Sequence, residues 1–124
     1  MPYAGLLGIR MASASAEEVR LELDWSPERC TSQGTMHGGA LMSLADTAGA
    51  TCAFLNLPPG AGTSTIESKT NFLRAVREGT VVAIARPVHV GRTTIVVQTD
   101  LRDSRDRPVA LTTQTQAVLQ AEPG

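Results

Sequence analysis

From His37 to Leu55 the sequence holds no proline and reads as one uninterrupted helix. Leu41, Leu44, Ala45, Ala48, Cys52 and Leu55 recur at helical spacing and make one apolar stripe. A second side carries Met42, Asp46, Gly49, Ala50 and Ala53, which are small and mostly apolar as well. A helix that is apolar nearly all round must be buried, so the rest of the chain has to cover it. With 124 residues the chain suits one compact domain, residues 1–124, with a core of its own. Within the helix one residue is out of place. Asp46 is a carboxylate with no basic residue near it in sequence, and an unpaired buried carboxylate must be either satisfied or functional.

The segments on either side are strands. In "EVRLELDW", Val19, Leu21, Leu23 and Trp25 fall on one face and Arg20, Glu22 and Asp24 on the other. "NLPPGAG" then divides the helix from a strand-rich half. Four strands are predicted there, roughly at 63–73, 80–90, 93–103 and 108–119. In the third, Ile95, Val97 and Leu101 oppose Gln98, Asp100 and Arg102; in the fourth, Val109, Leu111 and Leu119 share the apolar parity. The links "REG", "GR" and "SRDR" are short, which favours antiparallel pairing, since parallel crossovers need about a dozen residues. Pro87 inside a strand implies an edge or a bulge. The expected class is α+β, with an antiparallel sheet of five to six strands wrapped around one long central helix.

Composition narrows the partners. The chain is 42% hydrophobic and 19% charged, with a net charge of -1, which speaks for a globular domain and against a phosphate-binding basic face. Aromatics at 3% disfavour base stacking, so no nucleic acid is expected. No apolar run reaches the roughly 18 residues of a membrane span, and the first residues lack a signal-peptide pattern. Cys30 and Cys52 form no paired motif, so the expected setting is reduced and cytoplasmic. With His37 and His89 the only histidines, no metal site is expected.

The stretch "GTMHGGALMSLADTAGA", followed by "STIESKTNFLRAVREG", resembles the hotdog-fold acyl-CoA thioesterases of the phenylacetate-pathway (PaaI-like) group. The matching residues are Gly34, His37, Gly38, Gly39 and Asp46, and the resemblance runs from about residue 15 to 119. It implies a hotdog fold and hydrolysis of aryl- or medium-chain acyl-CoA, with coenzyme A as part of the substrate and no separate cofactor. It also implies a dimer, often paired into a homotetramer. One departure is that Thr31 stands where the family often has an asparagine that helps bind the thioester carbonyl; Thr31 itself and the neighbouring Ser32 or Gln33 are the candidates to take over that contact.

No catalytic triad and no nucleophile elbow occur, so the candidates reduce to a helix start and one carboxylate. Gly38 and Gly39 open the helix, where free N–H groups and the helix dipole favour an anion. The resemblance assigns the oxyanion chiefly to the Gly38 N–H and implies a positioning role for His37; from the residues alone His37 is an acid, a metal ligand or a cap. Asp46 is the candidate base or nucleophile, against the alternatives of an exposed aspartate or one bonded to Thr47 or Thr65. The resemblance places Thr65 near the attacking water. Asn71, Phe72, Leu73 and Arg74 would border the acyl and pantetheine path, and Arg74, Arg77 and Arg92 are candidates for phosphate contacts.

Spacing adds a constraint. Gly38 and Asp46 are eight residues apart, or ~12 Å along a helix at about 1.5 Å per residue. One straight helix cannot bring both to one carbonyl, whereas two antiparallel copies can, so the site is expected across a two-fold dimer interface. The rival functions are a non-catalytic acyl-CoA binding protein, which Thr31 would favour, and an enoyl-CoA hydratase, which would need His37 and Asp46 to meet across chains.

Overall fold

In the computed structural model, which describes residues 1–120, the chain runs α1 (Pro2–Leu7), β1 (Arg10–Ala14), β2 (Val19–Asp24), one tight helical turn (Pro27–Arg29), α2 (Gly38–Phe54), β3 (Gly62–Phe72), β4 (Thr80–Val90), β5 (Thr94–Arg102) and β6 (Pro108–Leu119). The six strands form one antiparallel sheet in the order β1-β2-β4-β5-β6-β3, and it curls around α2. This is the hotdog arrangement anticipated from the sequence. The long helix interrupts the strand order, so β2 reaches β4 directly and β3 is carried to the far edge beside β6.

The core is where the alternation put it. Val19, Leu21 and Leu23 of β2, Val81, Ala83 and Ala85 of β4, and Ile95, Val97 and Leu101 of β5 are buried against Leu41, Leu44, Ala45, Ala48 and Cys52 of α2. Burial pushes the Cys52 thiol up to about 11. The helix ends where Asn56 donates from Nδ2 to the Cys52 carbonyl at 2.9 Å and to Ala16 O at 2.8 Å. The Pro-Pro-Gly turn that follows prevents continuation. Pro87 sits where β2 no longer pairs with β4, whose partners on that side stop at Ala85, and a bulge follows between Pro87 and His89.

Two expectations need correction, and two elements were not foreseen. The helix is not buried all round: Gly49 and Ala53 are buried in the chain's own sheet, but Met42 and Asp46 are exposed and Ala50 is half-buried. The sheet wraps only part of the cylinder, and that flank is what it leaves uncovered. Gly49 and Ala53 therefore serve packing within the chain. In β6 Val109 is buried as expected, but from Ala110 onward the inward parity is the opposite one. Ala110, Thr112, Gln114, Gln116 and Val118 face α2, while Leu111 and Leu119 point away. The sheet thus places a polar ladder against the helix: Gln116 accepts from Thr63 at 3.0 Å and donates to Thr65 at 2.8 Å, and Thr70 and Thr112 share a bond of 2.8 Å. Finally, α1 and β1 had no sequence signal; α1 rests on α2, and Arg29 Nε donates to Leu7 O at 2.6 Å.

Candidate functional site

His37 settles into one of its open roles. It is the N-cap of α2, in extended conformation (φ -61, ψ 135), and its Nδ1 accepts the Gly39 N–H at 2.8 Å. The next two N–H groups, of Ala40 and Leu41, both turn to the His37 carbonyl, at 2.9 and 3.2 Å. Of the first-turn donors only the Gly38 N–H has no partner among the described residues. The cap therefore distinguishes the two glycines: Gly39 spends its N–H on His37, and the Gly38 N–H stays unpartnered among the described residues. Gly38 borders a depression of about 410 Å³ that is also lined by Thr31, Thr35, Phe72, Leu73 and Arg74, among others. The Phe72 ring packs on the glycine so closely that a Cβ there would lie 3.2 Å from Cζ.

Asp46 lies on the uncovered flank of α2, exposed to solvent. None of the ion pairs among the described residues involves it. Among the described residues its carboxylate has one hydrogen bond, from Gln114 of β6, whose Nε2 donates to Oδ1 at 3.3 Å. The carboxylate borders a depression of about 270 Å³ with Tyr3, Met42, Ser43, Thr47 and Ser68. The two depressions share no residue, so one chain does not bring Gly38 and Asp46 together.

Residues 33–110 match the Thioesterase superfamily. The chain belongs to that family. ComA2 of Bacillus subtilis strain 168 is 36% identical over 115 residues, spanning 91% of this chain and 90% of that one. Thioesterase HI1161 of Haemophilus influenzae superimposes with a TM-score of 0.93 at 26% identity, covering 98% of this chain and 85% of the other. A mutant of thioesterase PA1618 from Pseudomonas aeruginosa gives 0.90 at 30% identity over 94% and 85%. Family and fold together make thioester hydrolysis the chemistry that this hotdog thioesterase's geometry has to serve.

The remaining candidates of the thioesterase divide clearly. Thr31, Phe72 and Arg74 gather around Gly38. Thr31 Oγ1 shares a 3.0 Å bond with Thr35 and accepts from the Gln33 N–H at 3.3 Å, so Gln33 belongs to the turn and does not line the depression. Asn71 is exposed on β3, paired with Leu111, and lines neither depression. Arg92 sits in the β4–β5 turn beside the Gly62 end of the sheet, whereas Gly38 lies at the Phe72 end. Arg77 lines a different hollow with Glu78 and Asp103. Thr65 is taken up by Gln116, and Ser68 is the β3 hydroxyl that borders the Asp46 depression. The bulge between Thr65 and Glu67 explains the exchange, because one extra residue switches the inward parity from Thr63 and Thr65 to Ser68 and Thr70.

Sequence reasoning also missed Tyr3, Ser43 and Gln114. Ser43 Oγ donates to Gly39 O at 2.9 Å, which commits its one proton, so the Tyr3 hydroxyl at 3.0 Å is the donor to Ser43. Tyr3 and Ser43 therefore form the ridge between the Asp46 depression and a neighbouring one that holds His37 and Gly39. No signal in the first residues indicated this, since α1 is too short for periodicity.

Proposed function

We propose that the protein hydrolyses acyl-CoA thioesters, aryl- or medium-chain, at a site assembled from two copies of the chain. The observation that carries the proposal is the pairing of one unpartnered helix-start N–H, at Gly38, with one unpaired carboxylate, at Asp46, too far apart on one helix to act together. Three features support a two-fold dimer. The separation along α2 is ~12 Å at the standard helical rise. No residue of the eleven-residue strand β3 is fully buried. Its outer edge has no partner among the described strands, and such an edge is a template for pairing with a second copy. Antiparallel pairing of two β3 edges would bring each Asp46 toward the other chain's helix start. A dimer of such dimers is the assembly we expect.

In this site the Gly38 N–H holds the thioester carbonyl oxygen and stabilises the oxyanion as it forms. Asp46 of the second chain delivers the oxygen nucleophile, as the base that takes a proton from water or as the attacking carboxylate. The carbon–sulfur bond then breaks, and the coenzyme A thiolate leaves and takes up a proton; on the carboxylate route, water then hydrolyses the acyl–Asp46 anhydride, releasing the acid and restoring Asp46. Water and the thioester are the only reactants, so no cofactor is needed. Thr31, Phe72 and Arg74 border the Gly38 side of the path, and Arg74 suits a phosphate.

The test is a panel of acyl-CoAs with the released thiol detected by a colorimetric reagent, run on the parent and on Asp46→Asn. Turnover by the parent and its collapse in Asp46→Asn are expected. Calorimetric binding without turnover would instead favour a non-catalytic acyl-CoA binder, the reading that Thr31 in place of asparagine supports. Equal turnover by both proteins would remove Asp46 from the mechanism.

A further inference from the structure

Gln114 is fully buried on β6, and its amide spans the space between two positions of α2. One end donates to Asp46 Oδ1. The other end, Oε1, has no hydrogen-bond partner among the described residues and packs on Gly49. The fit there is so close that a Cβ on residue 49 would lie 2.0 Å from Oε1 and 2.4 Å from Cδ. The amide cannot face the other way, since that would set its carbonyl oxygen against a carboxylate oxygen. A buried carbonyl left without a donor is unfavourable, and an apolar side chain of the same size would avoid it. Packing therefore gives no reason for an amide at this position; the carboxylate does.

We infer that Gln114 is a positioning residue for Asp46, with Gly49 providing the room it needs. An exposed aspartate on a helix samples several rotamers. The Gln114 N–H fixes Oδ1 to the sheet and leaves Oδ2, which has no partner among the described residues, as the oxygen that meets water or carbonyl. Ser68 is the cross-strand neighbour of Gln114 and borders the same depression, so sheet and helix meet at this point. The inference rests on the thioesterase reading above, in which Asp46 supplies the nucleophile.

The test compares Gln114→Leu, Gln114→Met, Asp46→Asn and the double variants on the best acyl-CoA of the panel. Removing a hydrogen bond to a charged group should lower kcat by about tenfold to a hundredfold with KM unchanged. The melting temperature should hold or rise, because the unpartnered carbonyl is gone. In the Asp46→Asn background the same substitution should cost no further activity, since Gln114 acts only through Asp46. Gln114→Met, unbranched and of similar length, reads the same outcome where Gln114→Leu folds poorly. Parent-like kcat in a folded Gln114 variant, or an equal loss in both backgrounds, would overturn the inference while leaving Asp46 catalytic. A fully active Asp46→Asn would overturn both this inference and the reading beneath it.

Discussion

The shared site can be tested by mixing two dead proteins. Asp46→Asn removes the carboxylate and leaves the oxyanion donor intact. Gly38→Pro does the reverse. Proline has no N–H, and the first position of a helix is where it is best tolerated. The preceding residue must then be extended, and His37 already is, at φ -61 and ψ 135. The Phe72 ring, 3.2 Å from the position of the new Cβ, has to yield slightly. Loss of one oxyanion donor should reduce kcat by roughly 10²–10³. Each homodimer is then inactive at both sites. After subunit exchange at equal concentrations, about half the dimers are mixed, and each mixed dimer pairs one intact Gly38 with one intact Asp46 at one of its two sites. The mixture should recover about one quarter of the parent's activity per chain. The assay is thiol release before and after exchange, with the mixed species quantified by native mass spectrometry of differently tagged chains. A mixture containing the mixed dimer that stays as inactive as its components would refute the two-chain site.

Other expectations follow from single contacts. Gly49→Ala should gain about 1 kcal/mol in helix propensity but lose roughly 1–3 kcal/mol by overpacking Gln114, so the melting temperature should fall by about 4 °C for each net 1 kcal/mol; a rise with parent-like activity would contradict the packing. Asp24 accepts two bonds from Arg10, at 2.7 and 3.0 Å, and one from Thr80 at 2.7 Å; the Arg10 bonds come first in holding its carboxyl down to about 2 from an ordinary 3.8. Its contribution is present above about pH 4 and lost as pH falls toward 2, so the stability gap between the parent and Asp24→Asn, read by urea denaturation, should close over that range. A thiol reagent near pH 8 should label Cys30 and spare Cys52, which is buried with its thiol pushed up to about 11; mass spectrometry of the labelled peptides checks the assignment.

Much of the fold was legible because its signals were redundant. The strand starting near Val19, the helix and the four later strands were each bounded by turn signals, several also by a periodicity, and their observed limits differ from the expected ones by a residue or so. In the candidate site, the helix start at Gly38 was legible, because two glycines follow a capping residue. The site was not legible at Thr65, because a bulge has no marker in "STIES" and reverses every inward residue after it. Nor was it legible in β6, where Leu111 and Leu119 advertised the wrong face. Hydrophobicity identifies the inward side of a strand only if the space beneath it is apolar. Under β6 that space holds Asp46 and the hydroxyls of β3, so the inward residues are glutamines and threonines.

The exposure of Asp46 also changes where the constraint on it lies. A carboxylate buried in one chain would need a partner there to make the fold tolerable. Asp46 is open to water in one chain and costs that chain nothing. Its burial would come only from a second copy closing over the uncovered flank of α2. At that moment it would lose water on one side and keep the Gln114 N–H on the other. Under the proposed mechanism, a carboxylate solvated until assembly and held by a buried amide would become a poised nucleophile only in the dimer. On the proposed reading, assembly would complete the oxyanion site and prepare the carboxylate in one event, and the eight-residue spacing of Gly38 and Asp46, unusable within one helix, would be put to use.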